Sequence, residues 1–207
     1  MKKDLLTLYL VTGHYDFTDE EFLTIIEQAC QEGVTLVQLR EKELSTNDFY
    51  QLALKVKEVT ERYHIPLIIN DRLDICLAVD ADGLHIGDDE LPVSVARRLL
   101  GTDKILGVSA KTLERGLEAQ AEGADYLGVG AIFPTQTKDS QLTPLPVLKE
   151  ITQSVELPVV AIGGIKQDNI SVLTDSGIAG ISVVSEIMKA EDVLQTVKQL
   201  RAAAEAL

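Results

Sequence analysis

The sequence has few positive charges, and this scarcity excludes some classes of binding protein. Its 207 residues include 19 Lys and Arg against 33 Asp and Glu, which gives a net charge of −14 at pH 7. This deficit argues against a general binder of nucleic acid or anionic membranes, because the affinity of such proteins rests on Lys and Arg. A small anionic ligand stays compatible with it, since a few cations and backbone N–H groups make a locally positive pocket.

Cysteines and long apolar runs are scarce as well. Cys30 and Cys76 lie in apolar, helix-like stretches without the spacing of metal ligands, which predicts that both are small core residues. A chain of this length buries roughly 70% of its unfolded surface, so that its core needs no disulfide. No apolar run approaches the roughly 20 residues that span a bilayer, and the run after Met1 meets no signal-peptide cleavage site. We therefore expect a cytoplasmic protein.

What the sequence does contain is a regular alternation of strand-like and helix-like segments. Eight short apolar segments, mostly rich in β-branched residues, are typical of strands buried on both faces. These predicted strands are residues 5–12, 34–40, 66–71, 83–87, 104–109, 124–131, 158–163 and 180–185. Between them apolar residues recur with helical spacing, and Thr18 and Gly33 have the character of a helix start and a helix end.

Eight such units predict an α/β fold, a (β/α)₈ (TIM) barrel that occupies residues 1–207 as a single domain. The units average about 26 residues, near the lower limit for this fold. A doubly wound open sheet would alternate in the same way. The barrel is favoured because polar and glycine-rich clusters follow the predicted strands, and in a barrel these strand ends converge on one mouth, where active sites lie.

Two glycines and a serine at the last two strand ends predict a phosphate site. Gly163 and Gly164 follow the seventh predicted strand, where missing side chains let backbone N–H groups approach a ligand closely. Val184 and Ser185 end the eighth strand and lead towards a helix, whose N-terminus carries partial positive charge. Barrels often bind phosphate with these two loops. The alternative is that the two glycines only form a tight turn.

Two cations follow the second predicted strand. Alternation sends Gln38, Arg40 and Lys42 to the same side, so that an amide donor and two cations reach the mouth together. Arginine grips phosphate through paired N–H donors and lysine adds a mobile charge, a combination suited to pyrophosphate. The alternative is a surface ion pair with Glu41 or Glu43.

Carboxylates at the third and fourth strand ends predict a magnesium site. Asp71 ends the third strand after Asn70, and the acidic run Asp88-Asp89-Glu90 follows the fourth. Mg²⁺ usually takes one or two carboxylates and completes its shell with water and phosphate oxygens. Asp71 is the first predicted ligand, whereas spacing does not choose the second from the acidic run. One of the two aspartates in that run is alternatively the cap of a helix with Pro92 in its first turn.

The remaining polar candidates are three histidines and the loop after the sixth strand. His14 and His64 stand in loop or helix-end positions without partners, which is typical of surface residues. His85 lies within the fourth strand and is predicted to be a packed, hydrogen-bonded core residue rather than a general base. The loop Thr135-Gln136-Thr137-Lys138 offers two hydroxyl groups and one cation that close over an anion.

In their order and spacing these motifs resemble the thiamine-phosphate synthase family, whose enzymes join the pyrimidine and thiazole halves of vitamin B1 phosphate. The resemblance covers nearly the whole chain and rests on the segments 9–12, 38–42, 70–71, 85–87, 107–109, 123–138, 163–164 and 184–185. It implies a Mg²⁺-dependent transferase that moves the hydroxymethylpyrimidine group from its diphosphate to thiazole phosphate. It further implies that C–O cleavage precedes attack by the thiazole nitrogen.

The resemblance also implies roles for individual positions. The pyrimidine diphosphate would be held by Gln38, Arg40, Lys42, Asn70, Ser109 and Lys138. The thiazole phosphate would be held by Thr135, Thr137, Gly164, Val184 and Ser185. The implied catalytic set is Arg40, Lys42, Ser109 and Lys138.

The implied metal ligands are Asp71 and the carboxylate at position 90. The family usually has Gly-Gln-Glu-Asp after the fourth strand, whereas this chain reads Gly87-Asp88-Asp89-Glu90. By this resemblance the second ligand would be the longer Glu90, or Asp88 or Asp89 in its place.

Two rival functions remain at this point. The related thiazole tautomerase family shares the barrel but carries a catalytic histidine where this chain has Lys111. The other rival is a catalytically silent protein that binds thiazole phosphate. The retained Arg40, Lys42 and Lys138 favour the synthase. The expected partners are the two small-molecule substrates, with no nucleic acid and no membrane, and the sequence leaves open whether the chain forms a homo-oligomer.

Overall fold

Eight parallel strands close into a barrel in which each strand pairs with its neighbours in chain order. The computed structural model describes residues 3–135 and 141–207. The strands are β1 (Leu8–Val11), β2 (Leu36–Leu39), β3 (Leu67–Asn70), β4 (Gly83–Ile86), β5 (Ile105–Ser109), β6 (Tyr126–Val129), β7 (Val159–Ile162) and β8 (Gly180–Val183). All eight predicted strands are confirmed, each shorter at one or both ends than the apolar segment that predicted it. The closed order excludes the open doubly wound sheet.

Helices connect the strands. They are α1 (Asp19–Glu32), α2 (Thr46–Arg62), α3 (Leu73–Ala78), α4 (Val93–Leu100), α5 (Leu113–Ala121), α6 (Leu145–Ser154), α7 (Ser185–Met188) and α8 (Val193–Glu205). Between β7 and β8 the expected α-helix is replaced by a 3₁₀ helix, Ile170–Leu173, in a segment whose Ser171, Val172 and Thr174 are weak helix formers. None of the helices in the described ranges is long and apolar enough to cross a bilayer.

The ends of α1 follow the signals in the sequence. The Thr18 hydroxyl accepts a hydrogen bond from the Glu21 N–H, while the Glu21 carboxylate accepts one from the Thr18 N–H, which forms a capping box. At the other end Gly33 adopts a left-handed conformation with φ of 119°. The predicted start and end of this helix are both confirmed.

Apolar side chains pack on both faces of the barrel wall. On β1 the side chains of Leu8 and Leu10 join the outer layer under the helices, whereas Tyr9 and Val11 belong to a separate cluster inside the barrel. Both cysteines are reduced and buried in the outer layer, as predicted. The inner cluster is smaller and contains two tyrosines, Tyr9 and Tyr126, so that polar atoms are placed on the barrel axis.

Candidate active site

The carboxyl ends of the strands surround a cavity of about 360 Å³. This is the face at which (β/α)₈ barrels hold their active sites. Eight of the residues to which the resemblance assigns a substrate line it together, namely Gln38, Arg40, Asn70, Ser109, Thr135, Gly164, Val184 and Ser185. The proposed pyrophosphate and phosphate residues therefore share one cavity, although they come from six different strand ends.

The sequence did not predict several of the residues that line the cavity, or it predicted another role for them. Tyr9 and Ser182 lie within predicted strands, where an inward-facing polar side chain is the signal that was available. Lys111 and Lys166 add two cations to the wall of the cavity. His85 is buried and hydrogen-bonded as predicted, but it also lines the cavity.

A chain of buried hydrogen bonds crosses the floor of the cavity. The Gln38 Nε2 donates to the Tyr9 hydroxyl at 2.6 Å, and the two phenol oxygens of Tyr9 and Tyr126 are 2.7 Å apart. The Tyr126 hydroxyl lies 2.9 Å from His85 Nδ1, and His85 Nε2 lies 3.0 Å from Ser109 Oγ. Burial raises the pKa of Tyr9 and of Tyr126 well above the ordinary tyrosine value, so both phenols are neutral.

Two glycines make room for this chain. A Cβ atom on Gly107 of β5 would lie 2.1 Å from Cζ of Tyr126, so the phenol ring occupies the space that any other residue would fill. A Cβ atom on Gly128 would lie 3.1 Å from Cε1 of His85. The two glycines thus leave space on the inner face of β5 and β6 for the rings of Tyr126 and His85.

At the rim of the cavity, Lys42 forms an ion pair with Asp71. Neither Lys42 nor Asp71 lines the cavity itself. Asp71 adopts a left-handed conformation with φ of 62°, which aspartate tolerates better than most residues. The alternative of an ion pair between Lys42 and a neighbouring glutamate is therefore wrong, because the carboxylate that Lys42 meets belongs to the next strand end.

Glu41 has a different partner. Its carboxylate lies 3.1 Å from His14 Nδ1, and the His14 ring stacks on Phe22 at 4.9 Å between centroids. Burial raises the pKa of the Glu41 carboxyl, an effect that His14 opposes. The expectation that His14 has no partner is wrong, since the barrel brings the loop after β1 against the end of β2.

The three acidic residues after β4, Asp88, Asp89 and Glu90, lie in different surroundings. Asp88 pairs with Arg115 at 3.2 Å, and Glu90 Oε2 accepts the Gly87 N–H at 2.8 Å. Asp88 and Asp89 line the cavity, whereas Glu90 does not. The alternative that an aspartate caps the next helix is wrong, because Pro92 itself occupies the N-cap of α4, and the side chain that accepts the Ser94 N–H in its first turn is Glu122.

The carboxylates at this rim fit a Mg²⁺ ion that keeps water and substrate oxygens among its ligands. Among the described residues no three His, Cys, Asp or Glu side chains come together as a closed metal site. Two carboxylates from neighbouring strand ends suffice for Mg²⁺ when phosphate oxygens complete its shell. Asn70 beside Asp71 also has a buried Nδ2 with no hydrogen-bond partner among the described residues, a donor that a bound anion would satisfy.

The opposite side of the cavity is built from the ends of β7 and β8. Gly163 and Gly164 both have positive φ, and a Cβ on Gly164 would lie 2.5 Å from the carbonyl oxygen of Pro134. Asn169 holds this loop, because its side chain donates to the Gly164 carbonyl and accepts the Lys166 N–H. The glycines thus form a tight turn and also line the cavity, so the turn is compatible with the predicted phosphate site.

Two predicted residues, Thr137 and Lys138, lie outside the described residues. Thr135, which precedes them, lines the cavity between the two groups of strand ends.

Comparison with known proteins gives one consistent family. The model of the thiamine monophosphate synthase family matches residues 8–187. Thiamine-phosphate synthase from Enterococcus faecalis is 66% identical over 96% of this chain and 94% of its own length. The enzyme of that name from Methanobrevibacter smithii is 56% identical over 90% of each chain.

A solved structure supports the same relationship. The thiamine phosphate pyrophosphorylase from Pyrococcus furiosus superposes with a TM-score of 0.90 at 36% identity, over 99% of this chain and 98% of its own. The sequence match and the superposition both extend across the barrel and its cavity. This chain belongs to the thiamine monophosphate synthase family.

Proposed function

We propose that this protein transfers the hydroxymethylpyrimidine group from its diphosphate to thiazole phosphate, giving thiamine phosphate and pyrophosphate. The family and the names of the relatives support this transferase reaction. The observation that carries the proposal is the meeting of both sets of anion-binding residues in one cavity. A transferase that joins two anionic substrates needs both within reach of each other.

The two anions would occupy opposite sides of that cavity. Arg40, Asn70 and Ser109 line the side formed by β2, β3 and β5, with Lys42 at the rim, and would hold the diphosphate. Gly164 and Ser185 line the other side and would hold the thiazole phosphate together with Thr135, which lies between the two sides. Thr137 and Lys138, which follow Thr135 in the sequence, would complete the two sites.

The reaction needs charge stabilisation more than acid–base catalysis. The bond between the pyrimidine methylene carbon and the diphosphate oxygen breaks, and its electron pair leaves with pyrophosphate. The thiazole nitrogen then forms the new C–N bond with its lone pair, so no proton has to be removed from it. Arg40, Lys42, Ser109 and Lys138 would stabilise the charge that grows on the leaving group.

Asp71 and Glu90 would hold Mg²⁺, which supplies further positive charge to the leaving pyrophosphate. Lys42 holds the Asp71 carboxylate at the rim, and the Gly87 N–H fixes one oxygen of Glu90. Asp88 is less available because Arg115 binds it, and Asp89 remains the second alternative on the cavity wall.

A coupling assay on the purified protein tests the function. With both substrates and Mg²⁺ we expect pyrophosphate and thiamine phosphate in equal amounts, and little of either after a chelator is added. Binding of thiazole phosphate without product would indicate the silent binder. Isomerisation of a thiazole carboxylate phosphate without pyrophosphate release would indicate the tautomerase, although Lys111 rather than a histidine faces the cavity at the relevant position.

A further inference from the structure

The hydrogen bonds across the cavity floor form one continuous series, which we call the polar chain: Gln38, Tyr9, Tyr126, His85 and Ser109. Both ends, Gln38 and Ser109, line the cavity as proposed substrate residues. The two tyrosines in the middle were not among the sequence-predicted site residues. Their rings pack edge to face, with centroids 5.9 Å apart and the ring planes at 72°.

The number of protons fixes the direction of the polar chain. Three hydrogen bonds join the Gln38 amide, Tyr9, Tyr126 and His85 Nδ1, and each bond needs one proton. The amide NH₂ supplies one proton, and each neutral phenol supplies another. The three bonds are therefore complete only when His85 Nδ1 accepts.

A proton on His85 Nδ1 would break this balance. Both ends would then donate inward, and one phenol proton would have no acceptor. Tyr9 and Tyr126 are almost completely buried, so a phenol hydroxyl without its partner there is costly. The neutral histidine must instead carry its proton on Nε2, from which it donates to Ser109 Oγ.

We propose that Tyr126, backed by Tyr9, is a positioning residue that holds His85 in the Nε2–H tautomer and thereby directs the Ser109 hydroxyl proton into the cavity. The Ser109 proton would be donated to the departing diphosphate, an assignment that rests on the proposed function. Because Ser109 accepts from His85, its own O–H is left to donate to a group in the cavity. A donor oriented before the reaction stabilises developing negative charge without reorganisation.

The first test measures the tautomer and does not depend on activity. Protein labelled with ¹⁵N in its histidine rings should show one neutral histidine with the proton on Nε2, in the absence and in the presence of inorganic pyrophosphate. The variants His14→Gln and His64→Gln remove the other two histidine signals and assign the third to His85. A proton on Nδ1 would mean that the Gln38 amide is reversed and that Ser109 donates its proton to His85 Nε2 instead of into the cavity, which overturns the proposal.

The second test removes the link. Tyr126→Phe keeps the ring that fills the space above Gly107 but takes away the donor to His85, and kcat should fall about tenfold, the equivalent of one hydrogen bond. The KM for thiazole phosphate should stay within about twofold, and the His85 ¹⁵N signals should shift towards a mixture of tautomers. An unchanged kcat together with unchanged ¹⁵N signals would contradict the proposal.

Controls separate positioning from stability and from the function itself. Tyr63→Phe removes a phenol that bonds Glu27 on the outside of the barrel, and it should leave kcat and the His85 signals unchanged. If Tyr126→Phe does not fold, Tyr9→Phe is tested in its place. It should lower kcat about threefold, because it removes the bond through which Gln38 fixes the direction of the polar chain but keeps the Tyr126 hydroxyl next to His85. If the wild type lacks coupling activity, the proposed function fails while the tautomer measurement still decides the positioning role.

Discussion

At the scale of the residue, the site depends on polar side chains inside a wall of apolar strands. Arg40 and Ser109 follow or end a strand, and their convergence could be predicted because every barrel strand ends at the same mouth. Tyr9 and Tyr126 could not be found in this way, since tyrosine is ordinary in a buried strand. Only the closure of the barrel brings their hydroxyl groups, from β1 and β6, together.

Ser182 provides a residue-scale prediction. Its hydroxyl faces the cavity from β8, is buried, and has no hydrogen-bond partner in the described ranges. In the protein without ligand, Ser182→Ala should raise the free energy of unfolding by about 1 kcal/mol, because an unsatisfied polar group is removed. If a substrate uses the hydroxyl, the KM for that substrate should rise about fivefold in the same variant.

Ser176 supplies the matched control for this prediction. Its hydroxyl is also buried without a described partner, but it lies outside the cavity lining. Ser176→Ala should change stability in the same direction and leave both KM values unchanged. Denaturant unfolding and steady-state kinetics on the two variants give the answer, and unchanged KM values in Ser182→Ala would remove Ser182 from the site.

The carboxylates give a second residue-scale prediction. Asp71→Asn and Glu90→Gln should each raise the Mg²⁺ concentration for half-maximal activity at least about tenfold, since each removes a charge with little change in size. Asp88→Asn should do less, because Arg115 already binds that carboxylate. The Mg²⁺ dependence of these variants and of Asp89→Asn decides the second ligand. A response confined to Asp71 and Asp88 would exclude Glu90.

At the scale of the element, the strands were more predictable than their connections. Short apolar segments, mostly rich in β-branched residues, located all eight strands, because a strand buried on both faces needs apolar side chains on both. The 3₁₀ helix between β7 and β8 differed from expectation, since local propensity and not the barrel determines that connection. The pairs His14–Glu41 and Asp88–Arg115 were also beyond prediction, because each joins different loops or helices that only the folded barrel brings together.

Strand β5 yields a prediction at this scale. Gly107→Ala places a Cβ against the Tyr126 ring, which must then move away from its hydrogen-bond partners. We expect a loss of about 1–3 kcal/mol in the free energy of unfolding, typical of overpacking. The variant should also show the fall in kcat expected for Tyr126→Phe.

Gly116 on α5 is the control for Gly107. It is a buried helical glycine whose added Cβ would meet Leu127 Cδ1 at 3.2 Å, a tight contact that a small shift of the flexible leucine side chain relieves. Gly116→Ala should therefore cost less, because the higher helix propensity of alanine offsets the tighter packing. Equal losses of stability in the two variants would contradict the special role of the space above β5.

At the scale of the whole molecule, the barrel gives an acidic protein a cavity wall with a small excess of cations. The net charge is −14, yet the described cavity lining has three cations, Arg40, Lys111 and Lys166, against two carboxylates, Asp88 and Asp89. Backbone N–H groups of the β7 and β8 loops add further positive potential. The closed barrel makes this possible, because it brings residues that are far apart in the sequence to the same end of the barrel.

The division of that mouth into two anion sites is the central claim, and the variant Ser185→Asp tests it most directly. A carboxylate at this position would repel the thiazole phosphate but would lie across the cavity from the diphosphate site. The measurement is the pair of KM values from steady-state coupling with each substrate varied in turn. We predict a rise of at least about tenfold for thiazole phosphate and a change within about twofold for the pyrimidine diphosphate. An equal rise in both KM values would contradict the division of the cavity.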